Sequence, residues 1–166
     1  MVTPTPPDDD DARRDRILTA ASGYAELGLP DMAWDELRAL TDDDRRQPDV
    51  QEFTIALLVR EERWAEAVAA GHPLCADPAN SPAVFIHTAF ALHELGRTPE
   101  ARALLMAGPR SLHADPLYHY NMACYLAVCG ELHDAADSLR TAFRMDGKLR
   151  AHASTDPDLK KLQDVL

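Results

Sequence analysis

Histidine and cysteine are the residue types in this chain that could bind a metal ion, and their spacing tests that possibility. His87 and His93 are six residues apart, which places them roughly 120° from each other around a helix. Two helical residues that chelate one ion normally lie one turn apart, so this pair lacks metal-site spacing. His119 and Cys124 have no better spacing, although a site that joins His87 or His93 to His119 across two helices stays open. We predict that the chain holds no metal ion.

Motifs of catalysis are also missing from the sequence. The chain has no glycine-rich phosphate loop, no His-Glu-x-x-His sequence and no Cys-x-x-Cys pair. Serine, cysteine and histidine each occur, but no spacing pairs a nucleophile with a base. The acidic run Asp42-Asp43-Asp44 lacks the glycine and the spaced ligands of a calcium loop, which indicates a solvated turn. We therefore expect neither an enzyme nor a cofactor.

The charge of the chain limits the partners that it could have. The formal net charge is -11 at pH 7, whereas nucleic acids and anionic membrane surfaces select basic proteins. We therefore expect no nucleic acid and no membrane as a partner, and an acidic surface suits a basic or neutral protein or peptide. The three cysteines do not form a disulfide framework and the N-terminus has no apolar leader sequence, so we expect a cytoplasmic protein.

Several sequence positions recur every 34 residues. An alanine column contains Ala33, Ala67, Ala101 and Ala135. Three more columns are a large apolar one (Tyr24, Leu58, Leu92, Leu126), a glycine one (Gly28, Gly96, Gly130, with Glu62 in the gap) and a leucine one (Leu37, Leu105, Leu139, with Gly71 in the gap). Agreement between independent columns indicates a repeated structural unit.

Helix signals follow the same period. Ser81-Pro82 and Asp115-Pro116 each place an N-cap residue before a proline at the first helical position. Apolar residues follow at helical spacing, and no stretch sustains the alternation of a strand. The sequence predicts helices over 12–27, 30–41, 49–61, 64–76, 82–95, 98–107, 116–129 and 132–145, with a short helix over 157–165. The predicted fold class is all-α.

These helices divide the chain into three parts. Residues 1–11, rich in proline and aspartate, are expected to form a disordered tail. Residues 12–146 contain four helix pairs, with units at about 14–47, 48–81, 82–115 and 116–149. Residues 147–166 are expected to cap the last unit, with Leu159 and Leu162 in an apolar stripe.

This pattern resembles the tetratricopeptide repeat, a 34-residue helix–turn–helix unit with small and large apolar residues at fixed positions. The third unit matches best, through Ala89, Leu92, Leu95-Gly96-Arg97, Glu100-Ala101 and Leu105. The second unit departs at Ile55, Glu62 and Gly71, where the family prefers a small residue, a glycine and a large residue. The resemblance implies a right-handed helical-repeat solenoid of antiparallel helix pairs, whose first helices line a concave groove.

The resemblance also implies which side chains face the groove and bind a partner. They are Phe53, Arg60, Ile86, His87, Phe90, His93, Tyr120, Asn121 and Cys124. Phe90 and Tyr120 are of the aromatic type that often carries binding energy. The other end of the groove is acidic, with Asp15, Glu26, Asp49 and Glu52. We expect a partner segment that combines an apolar anchor with Lys or Arg.

Two functions are compatible with this interpretation. The first is a non-enzymatic interaction module, an adaptor, scaffold or chaperone-like protein that binds a peptide or a helix of another protein. The second is a ligand- or metal-binding sensor on the same scaffold, with His87, His93, His119 and Cys124 as candidate residues. The interaction module is favoured, because the candidate ligands lack metal-site spacing.

Overall fold

The structure of the chain, a computed structural model, describes residues 7–165, with side chains described for residues 10–162. Within this range the fold is all-α and contains no β-strand. The α-helices are α1 (Pro7–Glu26), α2 (Pro30–Arg38), α3 (Pro48–Arg60), α4 (Trp64–Gly71), α5 (Pro82–Glu94), α6 (Thr98–Ala107), α7 (Pro116–Val128), α8 (Leu132–Met145) and α9 (Leu149–Ala153). Short 3₁₀ helices lie at Asp44–Arg46, Leu74–Ala76, Arg110–Ala114 and Pro157–Val165. Over these residues, no helix has the length and apolarity that crossing a bilayer requires.

The helix bounds recur along the chain as the sequence columns do. Helices α2, α4, α6 and α8 begin at Pro30, Trp64, Thr98 and Leu132, which are 34 residues apart. Helices α1, α3, α5 and α7 end at Glu26, Arg60, Glu94 and Val128, with the same spacing. Adjacent helices pack as pairs, α1 with α2, α3 with α4, α5 with α6 and α7 with α8. This arrangement is compatible with a helical repeat.

The turn inside each pair has the same backbone conformation. The φ angles are 73° at Gly28, 74° at Gly96 and 84° at Gly130, and Glu62 takes a φ of 58° at the matching position. One residue later, an N–H donates to the carbonyl of the large apolar column at 2.9 Å in all four turns (Leu29 to Tyr24, Arg63 to Leu58, Arg97 to Leu92, Glu131 to Leu126). Glycine tolerates this left-handed conformation because it has no β-carbon. The glycine column therefore marks where the first helix of each pair ends.

The alanine column lies in the buried interior of the helix packing. Its four members are fully buried, each with 0% exposure. A second column with the same period, Ala21, Ile55, Ala89 and Ala123, is also 0% exposed. A bulkier side chain at one of the buried alanines would overpack the core unless a neighbouring residue became smaller.

The second helix pair accommodates Ile55 through a compensating small residue. Gly71 stands where the other pairs have leucine, and a β-carbon there would lie 3.4 Å from Cδ1 of Ile55. The same β-carbon would overlap Oγ1 of Thr88 on α5. The two departures of this unit from the repeat pattern are therefore linked. In this pair the large side chain is on α3, at Ile55, and the small residue is on α4, at Gly71.

The structure differs from the predicted tail at residues 7–11. Pro7–Asp11 belong to α1, which begins five residues before the predicted start at Ala12, while residues 1–6 lie outside the described range. Proline is favoured in the first turn of a helix. In addition, Asp11 forms an ion pair with Arg14 at 2.8 Å, one turn further along.

The acidic run between the first two pairs is not entirely solvated, which corrects the expectation for Asp42-Asp43-Asp44. Asp44 is buried, and its Oδ2 accepts hydrogen bonds from the backbone N–H and the hydroxyl of Thr41, at 2.9 and 2.7 Å. Arg13 on α1 donates to the same oxygen at 2.6 Å. Hydrogen bonding by Thr41 lowers the pKa of Asp44, and the charge of Arg13 contributes to this. The third acidic residue is therefore a structural link from this turn to α1.

The chain after α8 folds back onto the last helices. Helix α9 and the 3₁₀ helix Pro157–Val165 form the C-terminal segment, residues 149–165. This segment packs on α7 and α8, with Leu159 and Leu162 buried at 0% and 2% exposure. The sequence placed these two leucines in a cap, but it did not predict α9.

Candidate functional site

A cavity of about 460 Å³ lies where α5, α7 and the C-terminal segment meet. Helical spacing turns Ile86, Phe90 and His93 to one side of α5, and Tyr120 and Cys124 to one side of α7. The remaining wall residues are Val59, His87, Glu94, Leu117, Asn121, Tyr125, His152, Thr155, Asp156, Pro157 and Asp158. We call this space the α5–α7 cavity.

Seven of the nine predicted binding residues line the α5–α7 cavity. They are Ile86, His87, Phe90, His93, Tyr120, Asn121 and Cys124. Phe53 and Arg60 do not line it; they border a neighbouring cavity of about 380 Å³ between α1, α3 and α5. His87 and Val59 border both cavities, so the two spaces adjoin. The predicted residues thus lie along one continuous surface.

The C-terminal segment supplies the polar wall of the α5–α7 cavity. The hydroxyl of Tyr120 donates to Oδ2 of Asp156 at 2.7 Å, and Sγ of Cys124 lies 3.7 Å from the same oxygen. Nε2 of His93 lies 2.7 Å from Oδ2 of Asp158, and its Nδ1 lies 2.9 Å from Oγ1 of Thr98. The segment therefore contacts both helices through side chains that the sequence assigned to the groove.

One role of Asp156 can be read from its position in the sequence, and the other cannot. Asp156-Pro157 is a helix-start signal, and Oδ1 of Asp156 does accept the N–H of Asp158 at 3.0 Å. The second carboxylate oxygen reaches Tyr120, which is 36 residues earlier in the chain. No local pattern indicates a contact over that distance, so Asp156 and Asp158 were not among the predicted site residues.

The charge of the α5–α7 cavity is negative. Glu94, Asp156 and Asp158 line it, and none of the described residues in its wall is a lysine or an arginine. Burial raises the pKa of the Cys124 thiol, and the charges of Asp156 and Asp158 raise it further. At neutral pH the thiol is therefore protonated and is a weak nucleophile. The cavity is suited to attract a cationic group rather than to attack a substrate.

Tyr125 adds an unused hydrogen-bond donor to this wall. It is 1% exposed, and its hydroxyl has no hydrogen-bond partner among the described residues. Its ring packs against His93, with ring centroids 4.9 Å apart. Buried hydroxyl groups are normally paired with protein, water or an ion. No sequence pattern indicates this unpaired hydroxyl, because a tyrosine in an apolar run is usually a core residue.

His87 and His119, two of the candidate histidines, lie in different places: His87 lines the α5–α7 cavity and His119 does not. Burial lowers the pKa of His87, and the charges of Glu52 and Asp115 offset part of this effect. His119 lies outside the α5–α7 cavity, with Nε2 3.0 Å from the carbonyl oxygen of His113. The structure therefore does not bring His119 together with His87 or His93, the combination that the sequence left open.

The acidic end of the predicted groove is an open cleft beside α1 and α3. Glu26 and Asp49 line this cleft, whose volume is about 570 Å³. Asp49 is paired with Arg14 at 3.2 Å, which offsets part of its charge. A further cavity of about 500 Å³, which the sequence did not indicate, lies between α2, α3 and α4 around Trp34 and Val50.

Comparison with known proteins found no significant match to this chain. No family model matches the chain, and no curated protein and no solved structure matches it significantly. The function is accordingly inferred from the cavity and its side chains.

Proposed function

We propose that the chain is a tetratricopeptide-like right-handed solenoid that works as a non-enzymatic interaction module. It binds a peptide or a helix of a partner protein along the surface formed by α1, α3, α5 and α7. The observation that carries this proposal is the convergence of seven of the nine predicted groove residues on the α5–α7 cavity. The 34-residue recurrence of helix bounds and of the positive-φ turn supports the repeat assignment.

The lining of the cavity indicates which side chains a partner would present. Phe90 and Leu117 offer apolar contacts, because Phe90 is half-buried and Leu117 is 42% exposed although it is a leucine. Burying one aliphatic or aromatic side chain of a partner there contributes roughly 1.5–3 kcal/mol. A lysine or arginine next to that anchor would meet the carboxylate of Glu94. The partner segment therefore combines an apolar anchor with a basic residue.

Selection from a random peptide library displayed on phage tests this proposal without knowledge of the native partner. The full chain should enrich peptides with an aromatic or aliphatic residue next to Lys or Arg. A selected peptide should bind more weakly as salt is raised, because the exposed part of the attraction is screened. Enrichment of acidic peptides, or of no common pattern, would contradict the proposal.

A matched pair of variants localises the binding. Glu94→Gln removes a charge from the wall of the cavity, whereas Asp31→Asn removes one from the exposed first turn of α2. We expect Glu94→Gln to lower the affinity for a selected basic peptide and to reduce the dependence of that affinity on salt. Asp31→Asn should bind the peptide with an affinity close to that of wild type. Equal effects of the two variants would indicate general charge attraction instead of binding in this cavity.

A further inference from the structure

Three groups of metal-binding type lie together in the α5–α7 cavity. The thiol of Cys124 and the carboxylates of Asp156 and Asp158 each offer one ligand atom, and these atoms lie within 4.8 Å of one another. Cys124 comes from α7, and the two carboxylates come from the C-terminal segment. His93 on α5 adjoins them, with Nε2 2.7 Å from Oδ2 of Asp158.

The separation of these atoms suits a tetrahedral zinc site. Zinc–sulfur bonds of about 2.3 Å and zinc–oxygen bonds of about 2.0 Å place sulfur and oxygen ligands roughly 3.5 Å apart. Sγ of Cys124 and Oδ2 of Asp156 are 3.7 Å apart. His93 and Asp158 are closer, at hydrogen-bond distance, so they must separate by roughly half an ångström to share an ion. A change of side-chain rotation is enough for that.

Two further observations indicate a cationic occupant with polar surroundings. No lysine or arginine among the described wall residues neutralises Asp156 and Asp158, and Asp156 forms no ion pair within the described side chains. Tyr125 lines the same cavity, and its buried hydroxyl has no partner among the residues that the structure describes. An ion with its bound water would neutralise the carboxylates and offer an oxygen acceptor to a neighbouring hydroxyl.

We propose that the α5–α7 cavity binds one Zn²⁺ ion through Cys124, Asp156, Asp158 and His93. On binding, the thiol of Cys124 releases its proton to solvent. Nε2 of His93 gives up its proton and its hydrogen bond to Asp158 and binds the metal, while Nδ1 of the neutral ring takes a proton and donates it to Oγ1 of Thr98. Tyr120 stays outside the ligand set and orients Asp156 through its hydroxyl, as outer partners of metal ligands do. The ion joins α5, α7 and the C-terminal segment. This inference goes beyond the interaction module and does not depend on it.

Metal titration of the purified full chain tests the proposal directly. With Co²⁺ as a spectroscopic substitute for Zn²⁺, the chain should show a thiolate-to-cobalt charge-transfer band and the intense visible bands of four-coordinate cobalt, saturating at one ion per chain. Zn²⁺ should remove both signals by competition. At a free Zn²⁺ concentration about 100 times the Kd, the Tm should rise by about 5–10 °C.

Two variants and a matched control decide the ligand set. Cys124→Ser should abolish the charge-transfer band. Asp158→Asn should lower the affinity for the metal by at least about tenfold, because loss of even an outer partner of a ligand has an effect of that size. Cys129→Ser, which changes an exposed thiol five residues further on, should behave as wild type. The proposal is wrong if wild type binds neither ion, or if folded Cys124→Ser keeps the charge-transfer band. Unchanged affinity in Asp158→Asn would overturn the assigned role of the C-terminal segment.

Discussion

Nε2 of His93 lies 2.7 Å from Oδ2 of Asp158, a residue 65 positions further along the chain. The two side chains are 10% and 29% exposed, so water screens this contact only in part. Tyr120 and Asp156 form a second link of the same kind, 36 residues apart. The C-terminal segment therefore forms a polar wall of the α5–α7 cavity, and the shape of the cavity depends on where that segment packs.

The complete burial of the alanine column predicts a large effect of side-chain size. Ala101 on α6 is fully buried, whereas Ala103 in the same helix is exposed. Ala101→Leu should lower the free energy of unfolding by about 1–3 kcal/mol through overpacking. Ala103→Leu is the matched control and should be nearly neutral. Urea denaturation measures both, and equal stabilities of the two variants would contradict tight packing around Ala101.

The positive φ of Glu62 predicts a stabilising substitution. Glu62 is exposed and holds a backbone conformation that the other three turns give to glycine. Glu62→Gly should raise the free energy of unfolding by about 0.5–1 kcal/mol, because relief of backbone strain exceeds the entropy that glycine adds to the unfolded chain. The reverse change at the matching position, Gly96→Ala, should lower it by about 1 kcal/mol. Thermal or urea unfolding that moves in the opposite directions would rule out this shared turn.

The contact between Gly71 and Thr88 predicts coupled mutations. A β-carbon at Gly71 would overlap Oγ1 of Thr88, which is fixed by a 2.6 Å hydrogen bond to the carbonyl of Val84. Gly71→Ala should therefore cost about 1–3 kcal/mol of stability. In a Thr88→Ala background the same change should cost at least about 0.5 kcal/mol less. Strict additivity in the double-mutant cycle would show that the two residues do not compete for this space.

The lowered pKa of His87 predicts a pH dependence of stability. The unfolded chain binds a proton near the ordinary histidine pKa of about 6.5, whereas the folded chain binds it only at lower pH. The contribution of neutral His87 to the free energy of unfolding is thus complete above about pH 6.5. It is lost as the pH falls from there through the lower pKa of the folded chain. His87→Gln should lose less free energy of unfolding than wild type between about pH 7.5 and pH 5.5. His133→Gln, which changes a ring that is 89% exposed, is the control. Identical pH profiles for His87→Gln and wild type would refute the shift.

The parts of the fold that local chemistry determines were predictable from the sequence. The all-α class is confirmed, and the predicted starts at Pro30, Trp64, Pro82, Thr98 and Leu132 agree with the structure. Proline at a first helical position and glycine after a last one act within a few residues, so they can be read directly. The same holds for side chains on one helix face, which is why seven of the nine predicted residues share a cavity.

Features that depend on contacts between distant residues were not predictable. Asp156 and Asp158 reach Tyr120 and His93 because the C-terminal segment folds back over α7, and no short pattern encodes that path. The buried Asp44 appears as one more member of an acidic run until Arg13 is placed beside it. Phe53 and Arg60 lie in the adjoining cavity, which α1, α3 and α5 form without the C-terminal segment. In each case the missing information is the partner, not the residue type.

The affinity of a library-selected peptide for the Phe90→Ala variant tests the central claim most directly. Phe90 lines the α5–α7 cavity and packs edge-on against Trp64, with ring centroids 5.6 Å apart. We predict that Phe90→Ala weakens binding of the peptide by about 1–3 kcal/mol, which is the usual cost of removing an aromatic contact at a binding site. Met106→Ala, which removes a 63% exposed side chain from α6 outside the described cavities, should leave the affinity at the wild-type value. If the folded Phe90→Ala variant binds the peptide as tightly as wild type, binding does not occur in this cavity.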